Sequence, residues 1–247
     1  MTAMNKWPKK LPRLTEEQQK ISRDFMNAHL RALQHKWYGF VDIFNHKYPL
    51  YSLKFQKERK FLRTLEIGAG IGQHLSYEDC SKQDYHCNEL LPELCMQIKE
   101  KYPHVTVVDG DCQKRFSYED AYFDRIISIH VFEHLPNLPA TIRELRRLLK
   151  PTGLLSVVIP CEGGIATKMA RNLSARPHFE KKYHQSYDWF IKSQHINMPN
   201  EILHELNRYF SIIHSIWFPF LIPSVNLNLF MGLTLKPKQL KKRFKLL

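Results

Sequence analysis

Three groups of residues in this 247-residue chain have types and spacing suited to chemistry. The first is Glu66-Ile67-Gly68-Ala69-Gly70-Ile71-Gly72, of the form E-x-G-x-G-x-G. Glycines at alternate positions let the backbone turn sharply and let a ligand approach without meeting a β-carbon. Amides at the start of a following helix would then face that ligand. The form is not G-x-G-x-x-G, because Gln73 stands where a third glycine of the dinucleotide fingerprint would fall. The second group is a pair of acids, Glu89, which lies 17 residues beyond Gly72, and Asp111 in Asp109-Gly110-Asp111-Cys112. A carboxylate at the end of a second strand, so far past the glycines, can accept hydrogen bonds from a pair of ligand hydroxyls. The third group is His130, His134 beside Glu133, and His195. Imidazole titrates near physiological pH, so His195 and His134 are candidate proton acceptors, and His130 is placed to line the pocket.

The elements that must position these groups follow from periodicity. Phe61 to Ile67, Tyr85 to Asn88, Val105 to Val108, Phe123 to Ile129 and Leu154 to Pro160 read as buried strands. Thr15-Glu16-Glu17-Gln18 has the form of a capping box, and a helix is expected from about 15 to 36. A polar helix is expected from near Gln73, another from Pro92 to Pro103, and a third along Leu135, Leu138, Ile142, Leu145 and Leu149. Lys150-Pro151-Thr152-Gly153 reads as the turn that ends the third. A last helix runs from Met198 to about Tyr209, before two apolar strands, Phe210 to Phe220 and Leu227 to Leu235. Strands alternating with helices over 61–160 argue for a doubly wound α/β sheet.

The glycine turn, Glu89, the strand Phe123-Asp124-Arg125-Ile126-Ile127-Ser128 followed by Phe132-Glu133-His134-Leu135, and the Lys150-Pro151-x-Gly153-Leu154 turn together resemble the class I S-adenosylmethionine-dependent methyltransferases of small-molecule type. The resemblance is also to methyltransferases found with glycan or lipid biosynthesis enzymes, through His195-Ile196-Asn197 before the last helix. It implies a seven-stranded, mostly parallel Rossmann-like sheet with a C-terminal antiparallel hairpin, an N-terminal helical cap and an inserted lid. It also implies a cofactor, S-adenosylmethionine, released as S-adenosylhomocysteine. Glu66, Gly68, Ala69, Gly70 and Gly72 would then hold its methionine end, Glu89 the ribose hydroxyls, Leu90 the adenine face, Asp111 and Cys112 the adenine edge, and His130 the pocket wall. On this reading 1–14 is a basic tail, 15–59 a helical and aromatic cap, 60–236 the methyltransferase domain with 161–198 as substrate lid, and 237–247 a basic tail.

Composition bounds the rest. Net charge is +13, yet ten cations lie in 1–13 and 236–247, stretches without an acid, and +3 remains for everything between. The charge belongs to the ends, not to a folded surface beside a site, which argues against nucleic acid. Leu240, Phe244, Leu246 and Leu247 among the C-terminal cations suit an anionic membrane surface. The five cysteines form no C-x-x-C pair, so free thiols in a cytoplasmic setting are expected, and no metal. The N-terminus lacks the apolar segment of a secretion signal. The function expected is methyl transfer to a small-molecule acceptor, a glycan or lipid intermediate at a membrane surface. An RNA methyltransferase, for which Cys161 after Pro160 is the one hint, and a non-catalytic binder of the same cofactor are the alternatives.

Overall fold

The computed structural model describes residues 7–32, 39–56 and 61–239. Its strands are β1 (Leu62–Ile67), β2 (Gln83–Glu89), β3 (Thr106–Asp109), β4 (Phe123–Ile129), β5 (Leu149–Pro160), β6 (Phe210–Phe218) and β7 (Phe230–Pro237). They form one sheet in the order β3-β2-β1-β4-β5-β7-β6. The first five run parallel, and β7 lies antiparallel between β5 and β6. The described helices are α1 (Glu16–Ala32), α2 (Gly39–Lys47), α3 (Pro92–Lys101), α4 (Leu138–Leu148), α5 (Ile165–Leu173), α6 (Ala175–Tyr183), α7 (Tyr187–Gln194) and α8 (Pro199–Tyr209). The expected doubly wound sheet with its closing hairpin is therefore present.

A strand covered on both faces needs side chains that bury in both directions, and β4 does so over most of its length. On one face Leu65, Ile67 and Ile126 pack with Leu138, Ile142 and Leu145 of α4 and Ile202 and Leu206 of α8. On the other, Tyr85, Cys87 and Ile127 pack with Ile98 of α3 and with Leu75.

The polar helix expected after the glycine turn is not there. Residues 73–82 form only two short 3₁₀ turns, His74–Tyr77 and Cys80–Lys82. The reason lies in β4, which reads as apolar but carries Arg125 with 0% exposure. Glu78 turns inward to meet it, with Arg125 Nη1 2.7 Å from Glu78 Oε1. The same guanidinium donates to Ser52 Oγ and to the Pro49 carbonyl, both at 2.8 Å. His74 completes the network, its Nε2 3.0 Å from Glu78 Oε1. A buried charge demands partners. Those partners come from the link and from the 3₁₀ segment Pro49–Phe55, which with α2 covers this face of the sheet. A second departure is Lys150-Pro151-Thr152-Gly153, which belongs to β5 and not to a turn. The pairing with β4 shifts register between Phe123 and Arg125 to admit it, and Lys150 pairs with Asp124 at 2.9 Å.

The expected N-terminal helix is described as far as Ala32, and its continuation through residue 36 falls outside the described residues, as do Trp37, Tyr38 and 57–60. α1 packs on the helices between β5 and α8, where Phe25 meets Phe190 and Phe179 at 5.0 and 5.1 Å. Tyr48 fastens the next segment to the hairpin, its hydroxyl donating to the His214 carbonyl at 3.2 Å and lying 3.1 Å from Thr234 Oγ1. Tyr48→Phe removes a buried hydroxyl while keeping the ring, and is expected to cost about 1 kcal/mol, read as a small fall in thermal midpoint.

Candidate active site

All the candidate residues except Glu66 and Gly72 gather at the carboxyl ends of the parallel strands, where open α/β sheets bind ligands. Gly68 and Gly70 have φ of +63° and +57°. The two serve different ends. A β-carbon at Gly68 would come within 2.5 Å of Val131 Cγ2, so this glycine lets the β1 turn pack on the β4 turn. A β-carbon at Gly70 would meet nothing within 4 Å, so it borders open space. Glu89 ties this turn to β2: its Oε2 accepts from the Gly70 amide at 2.8 Å and its Oε1 from Leu90 and Leu91 amides at 2.8 and 3.0 Å. A carboxylate has about four lone-pair directions, so three are taken and a ligand hydroxyl would share the remainder.

Leu90, exposed beside Glu89, offers an apolar surface at the cradle's edge. Asp111 Oδ1 accepts from the Gln113 amide at 2.9 Å, and Cys112 follows it, buried. Glu66 is buried one layer down, accepting from the Tyr85 hydroxyl at 3.0 Å, with burial raising its carboxyl to about 8. This bond ties β1 to β2 just before the turn. The cradle over Gly70, the oriented carboxylate of Glu89 and the apolar rim at Leu90 fit the methionine, ribose and adenine parts of S-adenosylmethionine.

The second half of the site is a wall formed by the turn after β4 and the segment after α7. His130 closes β4 in a left-handed conformation, φ +54°, an uncommon backbone state for a non-glycine residue. Glu133 is 1% exposed, and neither carboxylate oxygen has a hydrogen-bond partner among the described residues. Its nearest histidine nitrogens are His130 Nδ1 at 3.3 Å and His134 Nε2 at 3.9 Å from Oε1. Burial would raise the Glu133 carboxyl, but the surrounding His130, His134 and His195 outweigh it and hold it at about 2.

His195 is 62 residues from Glu133 in sequence, yet the backbone bolts the two segments together. Ile196 and Asn197 amides both donate to the Glu133 carbonyl, at 2.9 and 3.0 Å. Asn197 Nδ2, fully buried, donates to the carbonyls of Phe132 and Leu135 at 2.8 Å. His134 Nδ1 donates to the Gln194 carbonyl at 2.7 Å, and the His134 and His195 rings stand 5.1 Å apart. His195 Nδ1 donates to Glu162 Oε2 at 2.6 Å, and Glu162 is held in turn by Arg171. Burial opposes ionisation of Glu162, but the His195 and Arg171 contacts hold its carboxyl at about 2. Residues 7–9 reach over this wall: the Lys9 amide donates to the Pro136 carbonyl at 2.8 Å, and Lys9 Nζ meets the Ile196 carbonyl at 2.8 Å and Glu201 at 2.7 Å.

Sequence reasoning missed Glu162, Arg171 and Asn197 as positioning groups. An acid one residue past the end of β5 was the available signal for Glu162. Cys161 is fully buried and its thiol is pushed up to about 12 by burial, which makes it an inert core residue.

This strand order and this glycine turn are those of a class I S-adenosylmethionine-dependent methyltransferase. Residues 65–157, 93 of the 247, match the family model described as a methyltransferase domain, a domain that carries out methyl transfer with S-adenosylmethionine as its cofactor. Solved structures share the fold. A TehB-like methyltransferase from Corynebacterium glutamicum superposes with a TM-score of 0.60 at 16% identity, over 89% of this chain and 100% of that one. The 1,6-didemethyltoxoflavin-N1-methyltransferase of Burkholderia thailandensis, solved with its substrate and S-adenosylhomocysteine, gives 0.59 at 13% identity, over 97% and 99%. No curated protein matches the chain by sequence.

Proposed function

We propose that the chain methylates a small-molecule acceptor, a glycan or lipid intermediate met at a membrane surface. The observation that carries this reading is a pair of exposed apolar groups on neighbouring elements beside the site. Phe220, Leu221 and Ile222 stand out from the β6–β7 link, with Leu221 71% exposed. Ile165, Met169 and Leu173 recur every four residues along α5, with Leu173 83% exposed. The Ala166 amide donates to the Asn226 carbonyl at 2.9 Å, which joins the two elements. Exposed patches of this kind suit an apolar surface, and the cationic C-terminal stretch, mostly outside the described residues, suits an anionic one. No described helix is long and apolar enough to cross a membrane.

Bound S-adenosylmethionine would supply a methyl group already activated by its sulfonium, so alignment of the acceptor supplies much of the rate. Helices α5 to α7 form the lid over the acceptor. His195, oriented by Glu162, and His134, oriented by the Gln194 carbonyl, present their Nε2 lone pairs to it and receive its proton. Glu89→Ala removes the acceptor of three amide hydrogen bonds and of the ribose contact. It is expected to weaken S-adenosylhomocysteine binding about 10–100-fold in calorimetry.

The membrane part is tested by sedimentation with phosphatidylglycerol vesicles and with neutral vesicles. Binding to the anionic vesicles alone, lost in Leu221→Asp, is expected, with turnover on lipid-linked sugars in an acceptor panel. Turnover confined to soluble metabolites, without vesicle binding, would sink the reading.

A further inference from the structure

We infer that Glu133, His134 and His195 form a binding site for one divalent transition-metal cation, and that the acceptor is therefore held through an oxygen. This deepens the acceptor reading above and rests on it for the role of the cation, though not for its binding. The five cysteines show no metal-ligand spacing, so no metal is expected from the sequence, and His195 is brought to the other two residues only by the fold.

Four observations converge. Ligand atoms of the three residues all lie within 4.8 Å of one another. Both histidines have their Nδ1 committed as donors, to the Gln194 carbonyl and to Glu162, so each neutral ring leaves a lone pair on Nε2. That is how metal-binding histidines are oriented, with the other nitrogen on a carbonyl or carboxylate. Glu133 supplies the third donor, an ionised carboxylate that is almost fully buried yet has neither oxygen hydrogen-bonded among the described residues. A buried carboxylate whose nearest partner is one histidine nitrogen 3.3 Å away is stabilised when a cation joins it.

Two imidazoles and one carboxylate leave positions open for exogenous ligands, and this donor set suits Mn²⁺, Fe²⁺, Co²⁺ or Zn²⁺ better than Mg²⁺ or Ca²⁺. Two donors about 2.1 Å from one ion lie roughly 3.0–3.4 Å apart, so modest side-chain closure completes the site. One carboxylate and two neutral rings leave the bound cation with a net positive charge. With the cation bound, the two Nε2 lone pairs ligate it instead of receiving the proton, and it holds an acceptor hydroxyl and eases the loss of that proton to water. His130, 3.3 Å from Glu133 Oε1, steadies the carboxylate from the outside. Location agrees with the role: Val131, two residues before Glu133, is the side chain that packs on Gly68 of the cofactor turn.

The test uses tag-free, full-length protein stripped with EDTA, then titrated with Co²⁺ by visible absorption and with Mn²⁺ and Zn²⁺ by calorimetry. S-adenosylhomocysteine is titrated into the same samples. One equivalent of Co²⁺ with a visible ligand-field band is expected for the wild type. Glu162→Gln should weaken binding about 10–100-fold as an outer partner, and His134→Ala and His195→Ala by more, each with cofactor affinity retained. Because those two variants can lose the fold, the wild type carries a second readout: Co²⁺ should shift the exchangeable imidazole proton resonances. Cofactor binding without cation binding, no imidazole shift, or folded variants that bind Co²⁺ like the wild type would overturn the inference and leave the methyltransferase reading standing. Cation binding without cofactor binding would support it while sinking that reading.

Discussion

Glu78→Gln is expected to lower the free energy of unfolding by about 3–5 kcal/mol, because it leaves Arg125 charged, buried and without its carboxylate. The substitution hardly changes volume, so the loss reports charge and not packing. Urea unfolding measures it, and a change below about 1 kcal/mol would show that water or Ser52 and Pro49 suffice for the guanidinium. The same network sets an acid limb. Burial would raise the Glu78 carboxyl, but the charge of Arg125 and hydrogen bonds from His74 and Gln83 reverse this and hold it at about 2 against an ordinary 4.5. Its contribution is complete above about pH 4.5 and is lost as pH falls from there towards 2. His74 is pushed down to about 4 from 6.5, chiefly by burial, so the unfolded chain takes up that proton first. Stability therefore begins to fall below about pH 6.5, and the two groups act in the same direction. In Glu78→Gln the limb below pH 4.5 should flatten.

Gly70→Arg is expected to weaken S-adenosylhomocysteine binding by more than about 100-fold, equivalent to about 2.7 kcal/mol, while the protein remains folded. The left-handed backbone costs a non-glycine residue about 1–2 kcal/mol, but the space above Gly70 is open, so the side chain enters the cradle and not the core. Gly68→Ala makes the opposite case. Its β-carbon would strike Val131, so it should lower the thermal midpoint before it touches affinity. Calorimetry and thermal melts on both variants separate the two. Gly70→Arg binding like the wild type would remove this turn from the cofactor site.

How much of this was legible in the sequence follows the range of the interactions. The glycine turn, the buried strands and the C-terminal hairpin are local patterns, and paired residues of β1 and β4, the parallel neighbours most distant in sequence, are 61 apart. Arg125 inside an apolar strand was not readable, because what tolerates it comes from Ser52, Pro49 and Glu78. The missing helix after Gly72 has the same origin: residues 73–82 look helical alone and are pulled into 3₁₀ turns by a charge on another strand. His195 was picked out by its place before α8, but its relation to Glu133, His134 and Glu162 exists only once backbone bonds from Ile196 and Asn197 join the two segments.

Among the described residues, the hydrogen bonds and ion pair of Lys9 in the strap at residues 7–9 go to the wall that carries His195 and to α8, and none goes to the glycine turn. Shortening the chain past Lys9 should therefore leave the grip on the cofactor intact while loosening the choice of what is methylated. Affinity for the donor and discrimination among recipients become separable traits, and drift in the first dozen residues would let a lineage change its substrate without rebuilding its methyl supply.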